Sequence, residues 1–540
     1  MIGLMQDYPL LTHTILEHGA LNHGEREMVT RSVEGPIRRT TLATVRNRAL
    51  QVGKALEREG VKTGDRIATM AWNTERHVES WFGIMGIGAI CHTLNPRLFA
   101  DQLDYIVNHA EDAIVFVDLT FVPVLEALRD RLRTVRKYIV LTDAAHLPAT
   151  SLPNAVAYED WIGAVDSDFA WKIFDENTAA ALCYTSGTTG NPKGVLYSHR
   201  SNVLHGLMVN QPDVFGLRSE DVILAIVPMF HANAWALTYA VPAAGAKLVM
   251  PGAGMDGASI YELLDSERVT STAAVPTVWL GLLQYLEQSG KQLPYLKKVV
   301  VGGAACPPMM IRKFELDYGV EVVHGWGMTE MSPVGTTGTM KHATSSLDPE
   351  ARLKLKEKQG RSPYLVEMKV VDDEGRPLPR DGKSSGHLLV RGPCVASGYY
   401  RHDEDVLTDD GWFDTGDIAN IDPLGYMRIT DRDKDVIKSG GEWISSIEVE
   451  NVAVGCPGVA EAAVIGLPHP KWTERPLLIV RREEGSEVRA RDVLAYLDGK
   501  IAKWWMPNGV EFVDEIPHTA TGKIQKMDLR KQFKDYRFAD

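Results

Sequence analysis

An apolar run, Ala179-Ala180-Ala181-Leu182-Cys183-Tyr184, passes directly into Thr185-Ser186-Gly187-Thr188-Thr189-Gly190-Asn191-Pro192-Lys193-Gly194. The second stretch brings almost no apolar surface to bury, so it builds no core, whereas the run before it reads as a buried strand. Glycine lets backbone N–H groups converge on a ligand, the hydroxyls of Thr185, Ser186, Thr188 and Thr189 add donors, and Lys193 adds positive charge. Together they make a cradle for anions of the phosphate type. The spacing excludes G-x-x-x-x-G-K-[ST], because Pro192 stands where that pattern needs its second glycine. An exposed linker is the alternative, and a buried strand immediately upstream argues against it.

A strand that ends in a binding loop belongs to an α/β sheet, and the chain repeats that alternation. Leu42, Val45, Ala49, Val52 and Leu56 mark one helix face, with Gly60 as its stop. Arg66 to Trp72 reads as a strand, and Asn73 as the cap of a helix containing Trp81-Phe82-Gly83-Ile84-Met85-Gly86-Ile87-Gly88-Ala89-Ile90, whose glycines suit close packing. Ala113 to Val117 and Tyr138 to Leu141 follow as strands, the first succeeded by a helix through Val124 to Leu128. Leu147 to Ser167 reads as loop-rich. After the anion loop come a helix from His199 to Met208 and a strand from Val222 to Val227. Lys298 to Val301 then runs into the turn Gly302-Gly303-Ala304-Ala305, and Glu321 to Val323 into His324-Gly325-Trp326-Gly327-Met328-Thr329-Glu330. The three glycine-rich turns are expected to share one crevice at the carboxyl ends of strands. Gly325-Trp326-Gly327 is no dinucleotide fingerprint, since Glu330 occupies the third glycine position.

Lys341 to Lys358 reads as a solvated loop and helix. From Val366 the pattern turns antiparallel, through Val366 to Val371 and His387 to Arg391, with Asp373-Glu374-Gly375 a turn signal. Asp431-Arg432-Asp433-Lys434-Asp435 is a charge run between strand-like Tyr426 to Ile429 and Val436 to Lys438, readable as a solvated turn or as a hinge. Beyond it Ile447 to Val454 is expected to be helical, Ala462 to Ile465 a strand and residues 491–504 an amphipathic helix, enough for a small α+β domain. The fold class is therefore α/β: a large N-terminal domain of sheets flanked by helices plus a β-rich module, then a small mobile α+β C-terminal domain.

At 540 residues more than one domain is expected. With 58 basic and 71 acidic side chains the formal charge is −13, which argues against bulk binding to nucleic acid or anionic membranes and leaves room for local basic pockets for phosphates. The five cysteines, Cys91, Cys183, Cys306, Cys394 and Cys456, show no C-x-x-C spacing, so neither a disulfide framework nor a zinc site is expected and a cytoplasmic location fits. The N-terminus lacks a signal-peptide pattern, and the longest apolar run is about half the roughly 20 residues a membrane span needs.

Taken together, Thr185 to Gly194, Gly325 to Glu330, Thr415-Gly416-Asp417, Asp431-Arg432-x-Lys434-Asp435 and Pro517-x-Thr519-x-Thr521-Gly522-Lys523 resemble the adenylate-forming superfamily of acyl- and aryl-CoA synthetases, luciferases and adenylation domains. The motifs occur in the family's order over nearly the whole chain. Pro228 to Trp235, Val301 to Ala305 and Lys438 to Ile444 look most like the medium- and long-chain fatty acyl-CoA synthetases, and overall the chain is similar to bacterial 3-methylmercaptopropionate-CoA ligases of dimethylsulfoniopropionate breakdown. The resemblance implies an N-terminal adenylate-forming domain over 1–431 with the ATP and acid sites, a hinge at 432–434 and a mobile C-terminal domain over 435–540. ATP, Mg²⁺ and coenzyme A are the implied substrates and cofactor, with a small carboxylic acid as partner and a homodimer as a family habit. The implied reaction is attack of the carboxylate on the α-phosphorus of ATP, then, after rotation of the C-terminal domain, displacement of AMP by the CoA thiol.

The resemblance also assigns residues. Thr185, Ser186, Gly187, Thr188, Thr189 and Lys193 would hold the β- and γ-phosphates. Thr329 would bond the α-phosphate, and Glu330, with Thr185, would hold Mg²⁺ through hard oxygens. Asp417 and Arg432 suit the ribose hydroxyls as acceptor and donor. Gly303, Ala304, His324, Gly325, Trp326 and Gly327 fall on the adenine side, with Trp326 able to stack. Lys523 would stabilise charge developing in adenylation. Lys438 and Trp443 match positions near the phosphates in the fatty acyl branch. His231 alone reads as a structural histidine; beside Phe230 and Trp235 it is placed near the acyl carboxylate, and Trp235, Gly302 and Pro333 join it as pocket walls. Two other enzyme readings stay open, a medium-chain synthetase without a sulfur-acid role and an adenylating enzyme with a non-CoA acceptor, although nothing after Lys526 resembles a carrier domain. A nucleotide-binding regulator is the non-enzyme reading, against which Thr329, Glu330, Asp417, Arg432 and Lys523 argue.

Overall fold

The computed structural model describes residues 1, 3–185, 191–439, 442–518 and 524–538, and of residues 442 and 443 the backbone alone. Among the described residues the chain forms four sheets. One runs in the order Ala155–Ala157, Lys137–Val140, Ile114–Val117, Arg66–Met70, Ile90–Thr93, Ala179–Tyr184 and Gly194–Ser198, parallel up to its last, antiparallel pair. A second runs Val334–Thr337, Glu321–Gly327, Lys298–Val301, Ser271–Ala274, Val222–Ala225, Lys247–Met250, Glu27–Arg31 and Ile37–Thr41, parallel except for the pair at each end. Parallel sheets need both faces covered, which is why the inner strands, such as Ile114–Val117 and Lys298–Val301, are buried and largely apolar.

Helices Leu42–Arg58 and Glu75–Gly86 pack against each other in the core that joins the two sheets, and every residue of the second is buried. The glycines in its sequence serve that packing. A Cβ on Gly83 would lie 2.5 Å from the Val52 side chain and 2.8 Å from the Ala49 carbonyl oxygen, and one on Gly86 would strike Trp171 at 2.2 Å. Overpacking of this kind costs about 1–3 kcal/mol. The cap of the helix is not Asn73 but Thr74, whose hydroxyl accepts from the His77 N–H at 3.3 Å. Asn73 is thereby released to stitch the sheets together: its Nδ2 donates to the carbonyls of Ala225 and Val227 at 2.7 and 2.8 Å, and its Oδ1 accepts from Met229 N at 2.7 Å.

Three further expectations are corrected. The segment read as loop-rich holds the strand Ala155–Ala157 and the helix Tyr158–Gly163. The turn expected at His324 continues the strand to Gly327, because Val334–Thr337 supplies an antiparallel partner. The helix expected over 491–504 spans only Ala490–Leu497; Asp498 is extended and Gly499 takes a φ of +74°, which ends it.

An antiparallel sheet of Glu367–Val371, Gly386–Arg391, Phe413–Ile421 and Met427–Arg432 forms the expected β-rich module. The fourth sheet, built on the long pair Val459–His469 and Thr473–Arg482, packs with helices Ser446–Ala453, Ala490–Leu497 and Lys526–Gln532 around its own apolar clusters, a separate small C-terminal domain. All five cysteines are buried and unbridged. No helix among the described residues is long and apolar enough to cross a membrane.

Candidate functional site

The anion loop is the tip of the hairpin formed by Ala179–Tyr184 and Gly194–Ser198, in which Tyr184 faces Gly194. At its base Thr185 N donates to the Lys193 carbonyl at 2.8 Å, and Lys193 N donates to Thr185 Oγ1 at 3.3 Å. Ser186, Gly187, Thr188 and Thr189 lie outside the described residues. The Lys193 ammonium stands 5.0 Å from the centre of the Tyr399 ring and 3.9 Å from the largely exposed Glu404 carboxylate, an ion pair worth little in solvent.

Two tyrosines bind this hairpin to the turn carrying Thr329 and Glu330. Tyr197, on the strand leaving the loop, donates to the Thr329 carbonyl at 2.6 Å, and Tyr399 donates to Glu330 Oε1 at 2.7 Å. Ala396 N donates to the Glu330 carbonyl and Tyr400 N to the Gly194 carbonyl, so the 396–400 segment straps both. Burial and the adjacent Glu330 carboxylate push the Tyr399 phenol well up, keeping it a donor. Neither tyrosine was singled out in the sequence. For Tyr197 a signal exists, since it alternates inward with Val195 along the strand.

Trp326, on the strand Glu321–Gly327, meets Asp417, on the strand Phe413–Ile421. Trp326 Nε1 donates to Asp417 Oδ2 at 2.9 Å, and Arg432 Nε lies 2.8 Å from Asp417 Oδ1. Asp417 and Arg432 face each other in register across neighbouring strands, and Asp417 N donates to Thr415 Oγ1 at 3.1 Å. Asp417 is 1% exposed, so its two charge-assisted bonds are worth about 1.5–3 kcal/mol each and fix the carboxylate's direction. The Trp326 indole is itself buried, one face against Gly335, where a Cβ would lie 2.6 Å away. His324 differs from the adenine-side expectation in its side chain. Its Nε2 accepts from Cys306 N at 3.3 Å and its Nδ1 meets the Glu357 carbonyl at 3.2 Å, and burial lowers its pKa to about 4. The ring is spent on scaffold contacts.

Gly302 and Gly303 make room for Trp235. A Cβ on Gly302 would lie 2.9 Å from Trp235 Cη2 and 3.4 Å from the Gly325 carbonyl oxygen, and Gly303 has a φ of +80°. Ala304 is exposed beside them. Trp235 belongs to a run, Ala232 to Ala236, with φ between 43° and 65°, left-handed throughout without a glycine. His231, half-buried, precedes the run and donates its N–H to the Pro228 carbonyl at 3.0 Å. Pro333 follows a cis peptide bond, and its carbonyl accepts from Met328 N at 3.1 Å; a Cβ on Gly327 would lie 1.9 Å from that oxygen. Next to it Val334 N donates to Nε2 of His205 at 3.1 Å. His205, fully buried with its pKa lowered to about 3 by desolvation, holds the turn from behind and was not foreseen.

In the C-terminal domain Lys438 is exposed, its N–H donates to Glu474 Oε2 at 2.9 Å, and it pairs with Trp443 across a short hairpin. Lys523 lies outside the described residues. Burial lowers the pKa of Lys434.

A buried carboxylate is thus aimed by an indole and a guanidinium, and a Thr-Glu turn is tied by Tyr197 to the strand leaving the anion loop and bonded by Tyr399 at its own carboxylate. Residues 16–400 match the model of the AMP-binding enzyme family and residues 448–523 that of the AMP-binding enzyme C-terminal domain. The chain belongs to the AMP-binding enzyme family. It is 48% identical over 535 residues, 99% of each chain, to 3-methylmercaptopropionyl-CoA ligase of Ruegeria lacuscaerulensis. It is 46% identical to a medium-chain-fatty-acid–CoA ligase of Ectopseudomonas oleovorans, over 99% of this chain and 98% of the relative. Among solved structures, an anthranilate CoA ligase in complex with anthranoyl-AMP superposes with a TM-score of 0.87 at 27% identity, covering 98% of this chain and 99% of that one.

Proposed function

We propose that the protein is an AMP-forming acid–thiol ligase that converts 3-methylmercaptopropionate, or a short to medium carboxylic acid of similar size, with ATP and coenzyme A into the acyl-CoA, AMP and pyrophosphate. The observation that carries it is the Trp326–Asp417–Arg432 cluster together with the Thr329–Glu330 turn, which follows Trp326 in the chain and is tied by Tyr197 to the strand leaving the anion loop and bonded by Tyr399 at its own carboxylate. One end suits a ribose and the other a triphosphate, so the α-phosphorus falls between them. In the first half-reaction an oxygen of the acid bonds to that phosphorus and pyrophosphate departs. In the second the thiol sulfur bonds to the acyl carbon and AMP departs.

Within this reading Asp417 accepts from the ribose hydroxyls and Arg432 donates to them. Lys193, the loop hydroxyls and Thr329 orient phosphates, and Lys523 stabilises charge on the phosphorus oxygens. The donor set fits Mg²⁺: Glu330 offers a buried carboxylate oxygen and Thr185 a hydroxyl, both hard ligands that leave room for phosphate and water oxygens. When bound, Mg²⁺ neutralises phosphate charge. A pivot at 432–434 exchanges the C-terminal domain between half-reactions, and the five unbridged thiols suit a reducing cytoplasm.

The deciding experiment is a panel of carboxylic acids assayed for AMP formation with CoA present. A thioether sulfur is nearly the size of a methylene, and one methylene discriminates by about 1–3 kcal/mol. Butyrate to hexanoate should therefore be turned over appreciably alongside 3-methylmercaptopropionate. The comparable similarity to a medium-chain-fatty-acid–CoA ligase favours the same breadth. No acid-dependent AMP in the presence of CoA would refute the ligase reading, and confinement to the sulfur acid would reveal a sulfur-specific contact.

A further inference from the structure

Asp431 and Arg432 are adjacent on the strand Met427–Arg432, so their side chains leave opposite faces. Arg432 turns to Asp417. Asp431 turns to the C-terminal domain: 1% exposed, it accepts from Ser446 N through Oδ2 at 2.7 Å and from Arg432 N through Oδ1 at 2.8 Å. Beside this bond the Ser445 hydroxyl donates to the Thr430 carbonyl. Ser445 is also the N-cap of the helix Ser446–Ala453, accepting from Glu448 N at 3.1 Å, so the carboxylate meets the positive end of that helix.

The contact reaches further. Lys526, 8% exposed, donates to the Ser446 hydroxyl and lies 2.8 Å from Glu450 Oε1, which accepts in turn from Val464 N at 2.7 Å. Lys526 opens the helix Lys526–Gln532 three residues after Lys523. One chain of bonds thus runs from Lys526 through Ser446 to Asp431, next to Arg432, which pairs with Asp417. Of these groups Thr430 and Asp431 precede the 432–434 pivot, whereas Ser445, Ser446, Glu450 and Lys526 follow it. Rotation about a pivot there would separate the two sets.

We propose that Asp431 is a positioning residue, a clasp that docks the C-terminal domain in the arrangement used for acyl-adenylate formation and lets go for thioester formation. This rests on the ligase reading and adds to it the residue that selects between the two half-reactions. The clasp joins the strand that reads the nucleotide to the domain that delivers Lys523, so losing it leaves the chemical groups intact and changes how often they meet.

The test uses the full-length enzyme, with acid-dependent pyrophosphate release as the first half-reaction and acyl-CoA formation from preformed acyl-adenylate as the second. Asp431→Ala should lower the first by roughly tenfold or more, the scale of a lost charge-assisted hydrogen bond, and leave the second within about twofold. Asp431→Asn, which keeps one acceptor oxygen, should recover part of the loss. Ser446→Pro removes the donated N–H at a first helical position, where proline is well tolerated, and Ser445 is already extended at ψ 110°, as a residue before proline must be. It should reproduce Asp431→Ala, and Ser446→Ala, which keeps the N–H but removes the hydroxyl that links Lys526 into the chain, should fall between wild type and Ser446→Pro. Equal losses in both half-reactions, a loss confined to the second, or no loss would each overturn the clasp. Absence of pyrophosphate release from the wild-type protein would instead overturn the ligase reading on which it rests.

Discussion

Replacing Tyr399 by phenylalanine isolates one bond of the site. The substitution removes the hydroxyl that donates to Glu330 Oε1 at 2.7 Å and keeps the ring under the Lys193 ammonium, 5.0 Å from its centre. Glu330 is 7% exposed, so water replaces the lost donor poorly. A hydrogen bond to a charged group contributes about 1.5–3 kcal/mol, which corresponds to roughly 10- to 150-fold in rate if the carboxylate's aim matters in the transition state. Tyr399→Phe should therefore lower kcat/KM for acid-dependent pyrophosphate release by that range and raise the Mg²⁺ concentration needed for half-maximal rate. The assay is a magnesium titration of pyrophosphate release at saturating ATP. A double-mutant cycle with Glu330→Gln should show strong coupling, because both changes act on one bond. Wild-type magnesium dependence in Tyr399→Phe, or strict additivity in the cycle, would refute the role given to Glu330.

Lys523→Ala should collapse acyl-adenylate formation while leaving thioester formation from preformed adenylate largely intact; equal losses in separate half-reaction assays would contradict a lysine that leaves the site between steps. Gly302→Ala places a Cβ 2.9 Å from Trp235 Cη2 and should move preference toward shorter acids, read as kcat/KM across the propionate-to-octanoate series; an unchanged profile would remove Gly302 from the pocket wall. His205→Gln should flatten the acid side of the stability profile. Burial holds the folded pKa of His205 near 3 against 6.5 unfolded, so between these values only the unfolded chain binds the proton, and stability falls as pH falls through 6.5. At pH 5 that amounts to about 2 kcal/mol relative to pH 7, seen in urea midpoints as a narrowing gap between wild type and variant; parallel profiles would show that the histidine is hydrated.

The parts of this molecule legible in its sequence are those whose cause is local. The Leu42 helix announces its buried face by spacing and its end by Gly60, which takes a φ of +79°. The crevice residues sit in short motifs, and Asp417 and Arg432 lie in two of them that the strands bring into register. What escaped notice depends on partners far along the chain. Tyr197 and Tyr399 owe their place to Thr329 and Glu330, and His205 to Val334, by bonds that leave no periodic trace. Asn73 shows the competition between levels: an asparagine before a helix is a normal cap signal, but Thr74 fills that role and the facing sheet claims the amide. The helix expected to reach residue 504 fails because the Asp498-Gly499 turn outweighs apolar spacing that continues beyond it.

The backbone from Ala232 to Ala236 is, locally, an ordinary helical turn seen in a mirror. For L-residues that hand costs on the order of 1–2 kcal/mol each, so five in succession hold a strain comparable in scale to the whole net stability of a domain, about 5–15 kcal/mol. Only a well-filled core can hold the chain in it. A cavity opened in the packing that confines this turn should therefore let it unwind toward the relaxed hand, carrying Trp235 with it. The indole would then leave Gly302 and Gly303, so that loss of selectivity for the acid would be an early sign of a weakened core, registered before the protein unfolds.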